Sequence, residues 1–328
     1  MDKISYQKLL TTKIKDLELN IEENMKPYFD ILKKELKSKN INLWPDFYFG
    51  NEWGCVDKTI SICIPFYFAN EELKSIKGST ITQEELTKIL RHETGHAFNY
   101  SYKLWKRKDW KEIFGNFNKK YPKNYIKQVN PWSRDYVKYM HYVEDPHYAQ
   151  RHPDEDWAET FAVWLDPASR WQRRYKNWPI ALQKLNYVDR LTKDITETEP
   201  INLKKKREGK YNSIEDTVSE LWGLGEEEDD KIQEYIKDMN ELFTKDKKKI
   251  IPAYHLIERY AEQLSEQVSS WILGSNKHSV RKCLRQWENI CRNEELGYSP
   301  GDEEKKLIEL SSLLTYHTME SLEKIKHQ

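Results

Sequence analysis

This 328-residue chain carries no net charge, because 54 lysines and arginines are balanced by 54 aspartates and glutamates. That balance removes any global attraction to nucleic acid or to an anionic membrane, so neither is expected as a partner. No apolar run approaches the length of a membrane span. The opening Met1-Asp2-Lys3-Ile4 has mixed charge rather than an apolar leader, so a cytoplasmic location is expected. Cysteine is scarce as well: Cys55, Cys63, Cys283 and Cys291 are the four present, and none has zinc-finger spacing. A disulfide scaffold is thereby excluded, and reduced thiols are expected. Cys55 and Cys63 fall in a strand-like stretch and read as core. Aromatic residues, by contrast, are plentiful, with 12 Trp and 20 Tyr at a mean hydropathy of −0.91. Such a content points to a folded protein over most of the length, with room for two domains.

Against this background the run His92-Glu93-Thr94-Gly95-His96 stands out. Histidines four apart lie on one helical face, so both imidazoles can reach one ion, expected to be Zn²⁺. The intervening Glu93 is placed to take a proton from a water that the metal activates. The surroundings favour a helix. Thr82-x-x-Glu85 reads as a capping box, and Leu86, Ile89, Leu90, Ala97 and Tyr100 recur at helical steps. Gly95 costs such a helix about 1 kcal/mol relative to alanine, which suggests close approach of another backbone or of substrate.

Two histidines do not complete a catalytic site. Downstream runs His152-Pro153-Asp154-Glu155-Asp156-Trp157-Ala158-Glu159-Thr160-Phe161-Ala162. Pro153 suits a first helical turn, and the three acidic residues after it suit a helix N-terminus. Trp157, Phe161, Trp164 and Leu165 make an apolar stripe, within which Glu159 needs a positive partner such as a metal ion. The two motifs together resemble the gluzincin class of zinc metallopeptidases, and most closely the bacterial zinc-binding metallopeptidases whose second motif reads much like this one. The site pattern is also similar to that of anthrax lethal factor. The resemblance covers roughly residues 43 to 191. It implies that Glu159 is the third zinc ligand and that a small sheet precedes the metal-binding helix, its edge strand able to pair with an extended peptide. Some relatives carry an oxyanion-stabilising tyrosine seven residues before the third ligand. Here that position is His152, which could fill the role or simply cap its helix, and Tyr148 is its rival. Asp156 is read either as orienting a ligand imidazole or as a helix N-terminal charge.

The fold expected is α+β: a zincin-like domain over residues 1–191 with a small mixed sheet and the metal-binding helix, a linker at 192–212, and an all-helical C-terminal appendage at 213–328. Phe47-Tyr48-Phe49 and Thr59 to Ile64 read as strands, and Pro27 as a helix break. Five of nine histidines fall between 92 and 152, where the site must form. Of these, His141 and His147 are candidate extra ligands, and Arg134 and Tyr136 candidate substrate contacts. Lys204 to Arg207 reads as a solvated face of the linker. In the C-terminal part, Gly274 is expected to cap a helix. The function expected is hydrolysis of a peptide or protein substrate by zinc-activated water, with Glu93 as general base. The alternative is a zinc-containing scaffold without turnover, acting on a partner through the C-terminal helices.

Overall fold

Fourteen helices and five short strands make up the described residues of a computed structural model, namely 3–77, 79, 81–121, 129–139, 147–195, 198–222, 229–245, 251–272 and 277–326. In chain order the first elements are α1 (Lys3–Thr11), α2 (Ile21–Asn24), α3 (Lys26–Ser38), β1 (Asp46–Gly50), β2 (Gly54–Cys55) and β3 (Ser61–Pro65). There follow α4 (Glu71–Lys77), α5 (Gln83–Tyr102), α6 (Lys108–Phe114), α7 (Pro153–Leu165), α8 (Trp171–Arg174) and α9 (Pro179–Ile195). The rest comprises α10 (Val218–Trp222), α11 (Asp229–Leu242), β4 (Ile251–Pro252), α12 (Ala253–Trp271), α13 (Lys277–Asn293), β5 (Gly297–Tyr298) and α14 (Glu303–Lys326). His141 and Gly274 lie outside the described residues. Among the described residues no helix is long and apolar enough to cross a membrane.

The chain divides into two units, Glu18–Ser213 and a second made of Met1–Leu17 with Ile214–Gln328. In the first, a three-stranded sheet has the order β1-β3-β2. β1 runs parallel to β3, with Asp46 opposite Ser61 and Phe49 opposite Ile64, and β2 pairs antiparallel at the other edge. Every residue of β1 and β3 is buried, because α5 packs against the sheet and residues 204–210 run along it. Ile60 N–H donates to the Lys204 carbonyl at 2.9 Å, Asn51 N–H to the Gly209 carbonyl at 3.2 Å, and Gly50 bridges Lys210. Within this stretch the Lys204–Lys206 side chains are exposed, whereas Arg207 forks onto Asp46 at 2.6 and 2.9 Å. Burial alone would raise the Asp46 pKa, but hydrogen bonds from Arg207 and Ser61 outweigh it and hold the carboxyl below its usual value.

α5 begins at the expected capping box, with Glu85 N–H donating to Thr82 Oγ1 and Thr82 N–H to Glu85 Oε2. Its far side is anchored by Arg91, whose guanidinium grips Glu35 of α3 at 2.6 and 2.8 Å and donates to Tyr139 Oη at 2.7 Å. Pro27 sits in the first turn of α3, so the break falls just before it.

The second unit is held together by apolar stripes on its helices. Met239, Leu256, Leu264, Val268, Leu284, Trp287, Cys291, Leu310 and Leu314 form its core. Its described residues add one sheet to the helices, a two-stranded antiparallel pair in which Ile251 faces Tyr298.

Candidate metal centre

α5 and α7 lie antiparallel, since Asp154 at the start of α7 reaches Asn99 and Tyr100 near the end of α5, while Asp166 just past α7 is 3.3 Å from Arg91. They touch at Gly95. A Cβ built there would stand 3.0 Å from Ala158 Cα and 3.2 Å from its carbonyl oxygen. Trp157 Nε1–H donates to the Gly95 carbonyl at 2.8 Å and fixes the contact. The glycine is therefore needed for approach of a second backbone. Once the helices are this close, His92 and His96 on one face oppose Glu155 and Glu159, also four apart, on the other.

Three donor atoms converge between them. His92 Nε2 and His96 Nε2 are 3.2 Å apart, and Glu155 Oε2 is 3.2 Å from the first and 3.3 Å from the second. Metal bonds of about 2.0–2.1 Å in a tetrahedron put ligands about 3.3 Å apart, so this triangle has the size of one face of a zinc coordination tetrahedron. The outward ring nitrogens set the protonation. His92 Nδ1 is 3.0 Å from Glu159 Oε1, and His96 Nδ1 is 2.9 Å from Asp154 Oδ2. Each carboxylate holds a proton on Nδ1 and turns the Nε2 lone pair inward. Asp154 is fixed in turn by Asn99 Nδ2 at 2.7 Å and Tyr100 Oη at 2.5 Å. Two lone pairs and a carboxylate facing one another in a buried site repel unless a metal ion or a proton lies among them, so the residues fit a metal ion.

Without the ion, protons are the substitute. Burial opposes charge on His92, but hydrogen bonds to Glu155 and Glu159 push its pKa up to about 9. His96 is raised too, with burial opposing and the Asp154 and Glu155 charges prevailing. Burial likewise opposes ionisation of Glu155, yet the neighbouring His96 and His92 hold its carboxyl well below the usual range.

The expected site residues fall into two groups. His92, Glu93 and His96 all lie on α5, with the two imidazoles brought side by side. Glu93 is buried, and one oxygen, Oε2, accepts the backbone N–H of Cys55 on edge strand β2 at 2.8 Å. Glu159, expected as the third ligand, instead meets the outer edge of His92, and the inward position belongs to Glu155. The orienting role considered for Asp156 falls to Asp154, because Asp156 pairs with Lys184 at 2.7 Å. His152 caps α7. Its Nδ1 accepts the Asp154 N–H at 3.1 Å and its Nε2 donates to the Lys119 carbonyl at 2.7 Å, so no ring N–H is left for an oxyanion. Tyr148 is better placed, with its ring centroid 5.6 Å from that of His92. Burial, then the negative charge of Glu155, drives its hydroxyl pKa well up, Arg151 opposing and Glu93 adding. His147 belongs to neither group of metal-competent side chains among the described residues. Arg134 is exposed, and Tyr136 packs under the Lys184 ammonium at 4.0 Å.

Reasoning from sequence also passed over Tyr121, which donates to Glu155 Oε1 at 2.9 Å and stacks on His152 at 4.1 Å. It thus leaves Glu155 one oxygen, Oε2, for the centre. The signal for Glu155 was available: if Glu159 faces α5, the residue four earlier shares that face.

Residues 81–201 match the model of a family described as "putative zinc-binding metallo-peptidase". The matched segment is 121 of 328 residues (201 − 81 + 1) and contains every donor atom of the centre. No curated protein and no solved structure matches the chain.

Proposed function

We propose, starting from that zinc-binding metallo-peptidase match, that the chain hydrolyses peptide bonds with a gluzincin-type centre in which His92, His96 and Glu155 hold zinc. The observation that carries this reading is the 3.2–3.3 Å triangle of donor atoms beside Glu93. A bound zinc ion would supply Lewis acidity, polarising the scissile carbonyl and making water acidic enough to lose a proton near neutral pH. Glu93, one oxygen held by the Cys55 amide, has the other for that proton, which it passes to the departing amine as the C–N bond breaks. Glu159 and Asp154 keep the two imidazoles turned inward. The Tyr148 hydroxyl accepts from Arg151 at 3.4 Å and retains its own proton to donate to the developing oxyanion. The four free thiols suit a reducing compartment, so the site of action proposed is the cytoplasm.

The test pairs turnover with metal content. Glu93→Gln should keep zinc and lose about 10²–10⁴-fold in peptide hydrolysis. Glu155→Ala should lose zinc, whereas Glu159→Ala should bind it about 10–100-fold more weakly. Full activity in Glu93→Gln removes the general-base assignment, and the reverse order of the other two restores Glu159 as ligand. A zinc-loaded wild type that turns over no peptide library would leave a zinc-containing scaffold protein.

A further inference from the structure

Among the described residues a second group of metal-ligating side chains comes together, in the unit containing Ile214–Gln328. Glu234 of α11 meets His317 and Glu320 of α14, with one donor atom from each lying within 4.8 Å of the others. His317 is 1% exposed and wedged between aromatic faces, its ring centroid 4.9 Å from Tyr235 and 5.6 Å from Trp287. Nε2 of this imidazole is 2.7 Å from Asp238 Oδ2. An ionised carboxylate only accepts, so Nε2 carries a ring proton, and the Nδ1 of the neutral imidazole then presents a lone pair. That Nδ1 is buried and has no hydrogen-bond partner. It is aimed at Glu320 Oε2 at 3.7 Å, beyond hydrogen-bond length and between two groups that both offer electrons.

The arrangement repeats that of His92 and His96, in which one ring nitrogen is tied to a carboxylate and the other faces a carboxylate. Ligand bonds of about 2.0–2.2 Å opened to roughly 120° put two donors about 3.6 Å apart, close to the separation of Nδ1 and Glu320. Glu234 and Glu320 are half-buried, so an ion can enter from solvent. Lys231 of the same helix donates its ammonium to Ser321 Oγ at 2.8 Å.

We propose that His317 Nδ1, Glu320 and Glu234 bind a second divalent cation, zinc by the imidazole-plus-carboxylate donor set, which clamps α11 to α14 while Asp238 orients the imidazole. This site is separate from the catalytic reading and stands without it.

The experiment counts zinc bound by the full chain after chelator treatment and titration with zinc alone. Wild type should bind two equivalents, and His317→Gln and His96→Ala one each. A single equivalent that survives His317→Gln and vanishes in His96→Ala overturns the second site and leaves the catalytic centre standing. A single equivalent with the opposite dependence supports the second site and removes the catalytic one. Because His317 is buried, two variants at half-buried positions guard against misfolding. In His96→Ala protein, adding Asp238→Asn should weaken the remaining zinc 10–100-fold, and Glu234→Gln should also weaken it. Unchanged affinity in both overturns the proposal.

Discussion

The α5–α7 pair and the α12–α13 pair are both long helices packed on one another, yet they bury opposite chemistries. Between α12 and α13 lie Leu256, Leu264, Val268, Leu284 and Trp287. Between α5 and α7 lie His92, Glu93, His96, Asp154, Glu155 and Glu159, all buried. Removing an ion from water costs several kcal/mol even after relaxation, and a hydrophobic pair of the same volume is often as stable or more so. Stability alone would therefore have produced the apolar kind of interface twice. On the proposed function the charged one is kept because its groups would hold a cation and move protons. The same test, applied to the apolar unit, picks out His317 as a buried polar group that packing does not explain.

The sharpest way to break this contrast is to separate side chains near the centre that serve chemistry from those that serve folding. Tyr148→Phe should lower kcat/KM about 10²-fold, the scale of one oxyanion donor, with zinc content unchanged. His152→Ala should leave turnover per folded molecule alone and destabilise the start of α7 by about 1 kcal/mol, as loss of a cap does. Kinetics and thermal melts on the two variants decide between them. An inactive, fully stable His152→Ala beside an active Tyr148→Phe would invert both assignments.

A smaller effect is expected at Gly95, where the two helices touch. Alanine is the better helix former by about 1 kcal/mol, but its methyl would crowd the Ala158 backbone at 3.0 Å. Overpacking costs typically 1–3 kcal/mol, so Gly95→Ala should melt lower and bind zinc less tightly, because α7 must retreat. A higher Tm with unchanged zinc affinity would show that α7 yields freely, and the contact would then position nothing.

What could be read from the sequence follows the range of the interactions. The capping box at Thr82 and Glu85, the helical steps through Ala97 and the start of α7 at Pro153 are local, and each is legible within a few residues. So are the stripes of the C-terminal helices. The place of Glu155 beside the two imidazoles was not legible in the same way. It sits in an acidic first turn that the helix dipole already explains, and it meets His92 and His96 only because Gly95 lets α7 approach. His152 looked eligible until the Lys119 carbonyl, 33 residues earlier, took its second nitrogen. Nor does local pattern reveal that Met1–Leu17 joins the C-terminal unit, where Ile14 N–H donates to the Asp216 carbonyl.

The weakest expected effect lies at the sheet, where a charge is buried for folding and not for catalysis. Asp46 is 4% exposed at its side chain, and its partner Arg207, from the basic stretch 161 residues later, is itself 44% exposed. Arg207→Ala leaves the carboxylate with Ser61 and the outlying Lys205 ammonium at 3.6 Å. Such a truncation costs about 1–3 kcal/mol for a buried acceptor, and the exposure of Arg207 keeps the loss near the lower end. The sign of its pH dependence follows from the depressed Asp46 pKa. A carboxyl whose folded pKa lies below its unfolded value contributes stability above the unfolded pKa, near 4, and loses it as pH falls through the folded one. The gap in unfolding free energy between wild type and Arg207→Ala should therefore be full at pH 7 and shrink toward pH 3, while zinc content and hydrolysis at pH 7 stay as in wild type. A gap that is constant across that range would mean that Arg207 acts through its guanidinium over the Tyr48 ring and not through the Asp46 carboxylate.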